Sequence, residues 1–528
     1  MNDSPRAPRG SLNPADPTRT TGFAAASGWS GRDLLAAAAL FGFALFTNIA
    51  TVLNNAYAFG ATLYDSAIFQ TIIWRSGLAL RPAPAVSYNS FFNTHISPIN
   101  YIPDALSYFA PIDRMSYYGI VYGIVFGLLL LTVFAALRRL FNGHVVLGSI
   151  GTVLFYFAGE ITNGQFEPHQ EYASALFMIA FFSSWAMRRS RLAVAMIVLN
   201  AAVREDCGAL LALPILLLAL HEWWSERRGG VTQNTVRLFG FAAFSLLLSV
   251  VSFAVKHRYF NQLDVLQTFY YDAWPNSFAH LSVAVITRRL RLIIFHEQFL
   301  WLPGIVLCIA GLALRDLRLP IPWVAFFPYW IFNFFSKFEL SATLGSYKAF
   351  PLILMLVWPA IIGTGTTGRR RAALGVLQFV VLLSAAIGWQ GGVPPELAEL
   401  KRRWLLQPET QYAEIYRMME PRFSSEDLGR VRASGGVVAL YPYSFPRFEL
   451  STVIEGREDE AGELDSLAWF AGDRDQAATD KWLAAGQFPY LYRVIGTKIF
   501  IASRNAPETM PSFVGTLEVM RRPAAADR

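Results

Sequence analysis

The chain has 528 residues, of which 54% are hydrophobic and 16% charged, and its formal net charge is +7. Soluble globular domains carry about 25% charged residues, so this composition argues against a water-soluble multidomain enzyme. Up to Gln390 there are 28 Lys/Arg against 18 Asp/Glu, and from Gly391 onward 17 against 20; a charge-poor body therefore precedes a tail of ordinary composition, and the positive excess lies in short clusters between apolar runs, which suits a membrane topology and not nucleic acid.

Residues 1–32 are rich in Pro, Ser, Ala, Gly and Arg and read as a disordered cytoplasmic arm, with no clear cleavage site in the apolar run that follows. Residues 33–390 read as a multi-span α-helical membrane domain. A crossing takes about 20 largely apolar residues. Candidate runs lie near Asp33–Leu53, Tyr117–Leu137, Val145–Ala158, Tyr172–Met187, Leu192–Val203, Gly208–Trp224, Val236–Val255, Phe299–Leu314, Ile321–Phe335, Lys348–Gly363 and Ala372–Trp389, about eleven in all. Several are short, Leu192–Val203 above all, and need shielding by neighbours.

With the N-terminus inside, Arg138-Arg139, Arg188-Arg189 with Arg191, Arg227-Arg228, Arg315 with Arg318, and Arg369-Arg370-Arg371 all face the cytoplasm. The outer side then receives loops 54–116 and 256–298, the turns 159–171, 204–206 and 336–347, and the tail. Within the second loop, Leu281–Phe295 mixes Ile286, Leu290, Ile293 and Ile294 with Arg288, Arg289 and Arg291, which suits a helix in the membrane interface.

Ionisable groups near membrane depth are expensive and need a partner or a purpose. Asp65, one helical turn before Phe69, is either a helix N-cap or a carboxylate poised as a general base. His95 in Asn93-Thr94-His95-Ile96-Ser97-Pro98 suits a satisfied loop residue or a substrate contact. Glu167, His169 and Glu171 fall within five residues; sugar hydrogen bonding, a divalent metal and a solvated loop are all compatible with them. Arg204-Glu205-Asp206 interrupts an apolar stretch and reads as a structural ion pair or as a phosphate grip, since the guanidinium fork matches phosphate oxygens. Lys256 and Arg258, with Arg288, Arg289 and Arg291, are further basic candidates for a phosphate or for anionic headgroups. Cys207 and Cys308 form no ligand or disulfide pattern and read as core residues.

The tail, residues 391–528, reads as a small extracytoplasmic α/β domain. Gly435–Tyr441 and Lys498–Ala502 are expected as strands, and Glu396–Trp404 and Asp480–Ala485 as helices. Tyr441-Pro442-Tyr443 is open to a glycan-stacking role or to a plain structural one.

Taken in order, Tyr64-Asp65, His95-Ile96-Ser97-Pro98, His169-Gln170-Glu171 and Glu205-Asp206 resemble the motifs of a bacterial integral-membrane family, domain of unknown function two thousand and seventy-nine. Gln170 stands where that family often has Pro, and Arg204 where Lys commonly precedes Glu-Asp. The first departure relaxes the turn that aims His169; the second keeps the charge and changes its geometry. That family in turn is similar to the GT-C superfamily of multi-span glycosyltransferases.

The resemblance implies an inverting transfer of sugar from a polyprenyl-phosphate donor to an envelope lipid, glycan or protein on the outer face of a bacterial inner membrane. Asp65 then matches the catalytic acid of the first outer loop. Arg204, aided by Lys256, Arg258 or the Arg288–Arg291 segment, would meet the phosphate, and His95, His169 and Glu171 the sugar. The resemblance singles out no cofactor, and a divalent metal is left open. Readings from other classes are a transporter or flippase for a lipid-linked or polar solute, and a non-catalytic envelope assembly protein.

Overall fold

Residues 28–57, 64–81, 90–166, 168–227, 230–260, 271, 278–295, 297–337, 342, 344, 346–387, 410–433, 437, 440–441, 444, 464–470 and 488–521 are described by a computed structural model of the chain. The body is helical: α1 (Gly31–Tyr57), α2 (Tyr64–Ile72), α3 (Tyr101–Ser107), α4 (Arg114–Leu140), α5 (Val145–Tyr156), α6 (Gly159–Phe166), α7 (Glu171–Ala186), α8 (Ser190–Ala201), α9 (Cys207–Glu226), α10 (Gln233–Tyr259), α11 (Val283–Phe295), α12 (Gln298–Ala313), α13 (Ile321–Phe334), a 3-10 segment Ser346–Leu352, α14 (Ile353–Ile362) and α15 (Gly368–Ile387). In the tail, α16 (Thr410–Phe423) precedes five strands, β1 (Val431–Ala433), β2 (Ser466–Phe470), β3 (Tyr490–Val494), β4 (Ile499–Ser503) and β5 (Leu517–Arg521).

Each run expected to cross carries a helix. Four of these, Gly31–Ala56, Arg114–Leu140, Cys207–Glu226 and Gln233–Tyr259, are long and apolar enough to cross a membrane, and the bent pair α11 and α12 adds a fifth if taken as one. The remaining expected runs are helices of 10 to 20 residues. At 1.5 Å per residue, a 12-residue helix such as α5 or α8 rises about 18 Å, well short of a hydrocarbon layer of about 30 Å.

The first helix starts on a reciprocal cap. Ser30 donates to Asp33 Oδ2 from its backbone N–H and from its hydroxyl, each at 2.7 Å, and the Asp33 N–H returns a bond to Ser30 Oγ. Asp33 also accepts from Arg138 Nη2 at 2.9 Å near the end of α4. Between these ends α1 and α4 run side by side, and Gly119, Gly123 and Gly127 let them touch: a Cβ on Gly123 would lie 3.1 Å from the Leu45 carbonyl oxygen, and one on Gly127 2.6 Å from the Phe41 ring.

The basic clusters gather at one end of the bundle. Arg371 caps α4 through the carbonyls of Leu140 and Arg139, while Asp316 accepts from Arg318 and Arg370. Helix α4, about 40 Å long by its 27 residues, runs to this end from the opposite one, where Arg114 at its start reaches the tail.

One apolar core runs through the helices and includes Phe126, Phe155, Tyr172, Leu211 and Trp358, with Cys207 fully buried in it. A second core joins body and tail: Phe69, Ile72, Phe91 and Tyr117 pack with Tyr416, Met419, Phe423 and Tyr441. The tail sheet has the order β1-β2-β4-β3-β5, antiparallel except for the parallel β1–β2 pair.

The strand expected at Lys498–Ala502 is β4. The one expected at Gly435–Tyr441 is not a strand at its described positions: Val437 and Leu440 are helical, and the Tyr441 N–H bonds the Val437 carbonyl at 3.0 Å. Their spacing of three puts both side chains into the second core, a periodicity that an apolar run this short does not reveal. The segments Glu396–Trp404 and Asp480–Ala485 lie outside the described residues.

Candidate functional site

Four separate stretches of chain supply the polar cluster at the end of the bundle nearest the tail. They are the 3-10 turns around His95, the turn into α7, the turn between α8 and α9, and the end of α10 that carries Lys256, with α2 standing beside them. The turn between α8 and α9 is held by Asn200, whose Nδ2 donates to the Cys207 carbonyl at 2.7 Å while its Oδ1 accepts from Ser174 Oγ at 2.6 Å. The His95 loop is hung on the same place by the Ile99 N–H, 3.0 Å from the Ala202 carbonyl.

Glu205 then closes over the His95 loop. Its Oε1 lies 3.1 Å from His95 Nδ1 and accepts from Lys256 Nζ at 3.0 Å, and its Oε2 accepts from the Ile96 N–H at 2.9 Å. Lys256 also donates to the Thr94 carbonyl at 2.5 Å. Burial would raise the Glu205 carboxyl, but His95 and Lys256 beside it hold it well below the usual carboxylate range.

Arg204 faces the other way. Its Nε and Nη2 grip both oxygens of Asp206 at 2.6 and 2.7 Å, and its Nη1 donates to Glu171 Oε1 at 2.5 Å. Burial likewise opposes the charge on Glu171, and Arg204, then His169, hold it low. His169 Nδ1 lies 3.6 Å from Glu171 Oε2, and its ring meets Phe69 edge-on at 4.5 Å between centroids.

The cluster thus has a floor and a rim. His169, Glu171, Arg204 and Glu205 are buried, whereas the side chains of His95, Lys256 and Asp206 retain 25%, 17% and 32% exposure and form the accessible side.

Asp65 is the second residue of α2, one helical turn before Phe69, so its backbone stands next to the wall that Phe69 makes against His169. The Asp65 side chain and all of Glu167 lie outside the described residues. Of the other basic candidates, Arg289 is buried and donates to the carbonyls of Phe334 and Lys337, anchoring α11 on the end of α13. Arg258, Arg288 and Arg291 are exposed, and Lys256 is the one among the five that a described ion pair joins to the cluster. No three His, Cys, Asp or Glu side chains among the described residues are grouped to hold a metal ion.

Two contributors escaped the sequence reading. Gln170 bridges Ser97 Oγ, to which its Nε2 donates at 2.9 Å, and Asn100, whose Nδ2 donates to its Oε1 at 2.7 Å. It thereby ties the His169 turn to the His95 loop. Lys348, buried on the Ser346–Leu352 segment, sets its charge beside Glu171. Leaving the histidines aside, Glu171, Glu205 and Asp206 are matched in number by Arg204, Lys256 and Lys348. Tyr441 is also buried, stacked on Tyr416 with centroids 5.2 Å apart, and so presents no face for stacking a glycan.

No protein-family model matches the chain, and no curated protein is significantly similar to it.

Proposed function

We propose that the protein is a membrane glycosyltransferase that moves a sugar from a polyprenyl-phosphate donor to an envelope acceptor on the outer face of a bacterial inner membrane. The observation that carries the reading is the convergence of His95, His169, Glu171, Arg204, Glu205, Asp206 and Lys256 into one cluster with an accessible rim, flanked by the helix that bears Asp65. The basic end lies at the far end of α4, and the positive-inside rule makes that end cytoplasmic and the cluster external. On this reading the eleven expected runs all cross.

In the proposed reaction an acceptor hydroxyl attacks the anomeric carbon and gives its proton to Asp65. The bond from that carbon to the phosphate oxygen breaks, the phosphate leaves with the electron pair, and the configuration inverts. Since the Lys and Arg of the cluster are each already set against a carboxylate, the new phosphate charge finds one of them only by re-pairing. Lys256 on the rim, and Arg204 on releasing Asp206, are the groups able to do so; both are held by carboxylates until then. A polyprenyl donor also accounts for a site beside lipid, because its tail leaves hydrocarbon only at high cost.

The test is transfer of radiolabelled sugar from polyprenyl phosphate by the purified protein in liposomes. Asp65→Asn is expected to lower the rate about 10²- to 10⁴-fold with the melting temperature preserved. Undiminished transfer in that variant removes Asp65 as the base. One feature favours a carrier for a lipid-linked or polar solute instead, namely the buried, unpartnered carboxyl of Glu160. Uptake of solute into proteoliposomes without covalent product would select that reading.

A further inference from the structure

The first turn of α6 holds a carboxyl that the reaction above does not use. Glu160 has no exposed surface, and among the described residues neither of its carboxyl oxygens has a hydrogen-bond partner and no ion pair includes it. Its backbone, by contrast, is well held, since Tyr172 Oη donates to the Glu160 carbonyl at 2.8 Å. Next to it Gly159 is pressed against Phe299 of α12, whose ring would lie 2.5 Å from an added Cβ. An ionised carboxylate taken out of water without a partner costs far more than its neutral acid, and such a group keeps its proton.

We propose that Glu160 is a proton-binding site, a carboxylic acid kept neutral at physiological pH in the seam between α6 and α12 and coupled to Glu297 at the start of α12. The ligand of this site is the proton itself. Burial, and after it the charge of Glu297, push the Glu160 carboxyl up to about 8, and burial pushes Glu297 up to about 7.

The charged and titratable groups on the packed neighbours have other commitments. Lys348 on the 3-10 segment is set beside Glu171; Tyr156 on α5 bonds Thr47 and Asn48 of α1; Cys308 lies further along α12. Asp33 on α1 pairs with Arg138, and Arg370 and Arg371 on α15 are taken up at the basic end. When Glu160 ionises, its charge adds to that of Glu297, and among the described residues no cation is paired with either. Because α6 leads within nine residues to His169, the charge state of this seam bears on the turn that enters the cluster.

The sign follows from the raised value. The folded state holds the proton more tightly than the unfolded chain, so the stabilisation is complete below the ordinary value of 4.5 and is gone once pH passes about 8. The experiment is infrared spectroscopy of the full-length protein in proteoliposomes across a pH series. In the Glu297→Gln background, where Glu297 adds no acid band, a carboxylic-acid C=O band is expected at neutral pH and is absent once Glu160→Gln is added; in the wild type the loss of the Glu160 component is centred near pH 8, and Glu297→Gln moves it to lower pH. In parallel, the melting temperature of the wild type falls from about pH 5 to about pH 8, and that of Glu160→Gln falls less, keeping only the Glu297 limb that ends near pH 7. A wild type with no such band at neutral pH, a band that survives in the double variant, or wild-type and Glu160→Gln melting curves that fall in parallel would overturn the proposal. Should Glu160→Gln not fold, the Glu297→Gln titration decides: an unmoved midpoint overturns the coupling.

Discussion

Arg204 was open to two readings from sequence, and its contacts explain why both were reasonable. A guanidinium in an apolar stretch must be satisfied, and here Asp206 and Glu171 do so at 2.5 to 2.7 Å. The same fork is the group best able to exchange a carboxylate for a phosphate. The neighbouring carboxyls carry a definite pH signature. Glu171 and Glu205 are held below the ordinary range, so their contribution is complete above about pH 5 and is lost as pH falls through lower values. Together with the opposite trend of Glu160, whose stabilisation is lost between 4.5 and about 8, this places the stability optimum near pH 5. Glu205→Gln should lower stability at neutral pH by about 3–5 kcal/mol, the usual cost of breaking a buried pair, and should flatten the acid limb of a melting-temperature profile. An acid limb as steep as that of the wild type would show that Glu205 is not the group being titrated. Lys348 went unread because a lysine at the start of an apolar run looks like a span boundary, whereas a residue only 8% exposed and beside Glu171 belongs to the cluster. Gln170 was read as a missing proline; its two side-chain bonds depend on which loop lies opposite, and no local pattern records that.

The long elements were legible because about 20 apolar residues in a row leave few alternatives. The short ones were not: α6 has eight residues and α3 seven, too few to display a period, and α6 passed for a turn although it carries Glu160. The α1–α4 contact gives an element-level prediction. Gly123→Ala places a Cβ 3.1 Å from a backbone oxygen and 3.2 Å from a backbone Cα of Leu45, atoms that cannot swing aside. A loss of about 1–3 kcal/mol is expected from such overpacking. Gly42→Ala, on α1 with nothing within 4 Å, should be neutral or slightly stabilising through helix propensity. Thermal unfolding of the two variants in one detergent checks the pair, and equal effects would mean that the seam yields.

Body and tail were legible as two compositions, and that contrast hid how they are joined. Tyr416, Met419, Phe423 and Tyr441 share a core with Phe69, Ile72, Phe91 and Tyr117, and Arg114 Nη2 donates to the Leu440 carbonyl at 3.0 Å. No charge count could show this, because the joining residues are ordinary aromatic side chains scattered over more than 350 positions. Truncation after Gln390 should therefore expose that apolar face and destabilise the α2 and α4 ends. The full chain should melt with tail and site in one transition, followed by calorimetry and by proteolysis near Phe69. A tail that melts first while the body's transition stays unchanged would contradict the shared core.

The first two turns of α4 carry a mechanical consequence. Arg114 holds the tail, and one turn on Tyr118 Oη donates to the Pro168 carbonyl at 2.6 Å, immediately before His169. A rigid rod gripped at neighbouring points transmits displacement from one to the other, so a pull on the tail is delivered to the turn bearing His169. Whatever grips the tail from outside thereby has a lever on the cluster, without entering it.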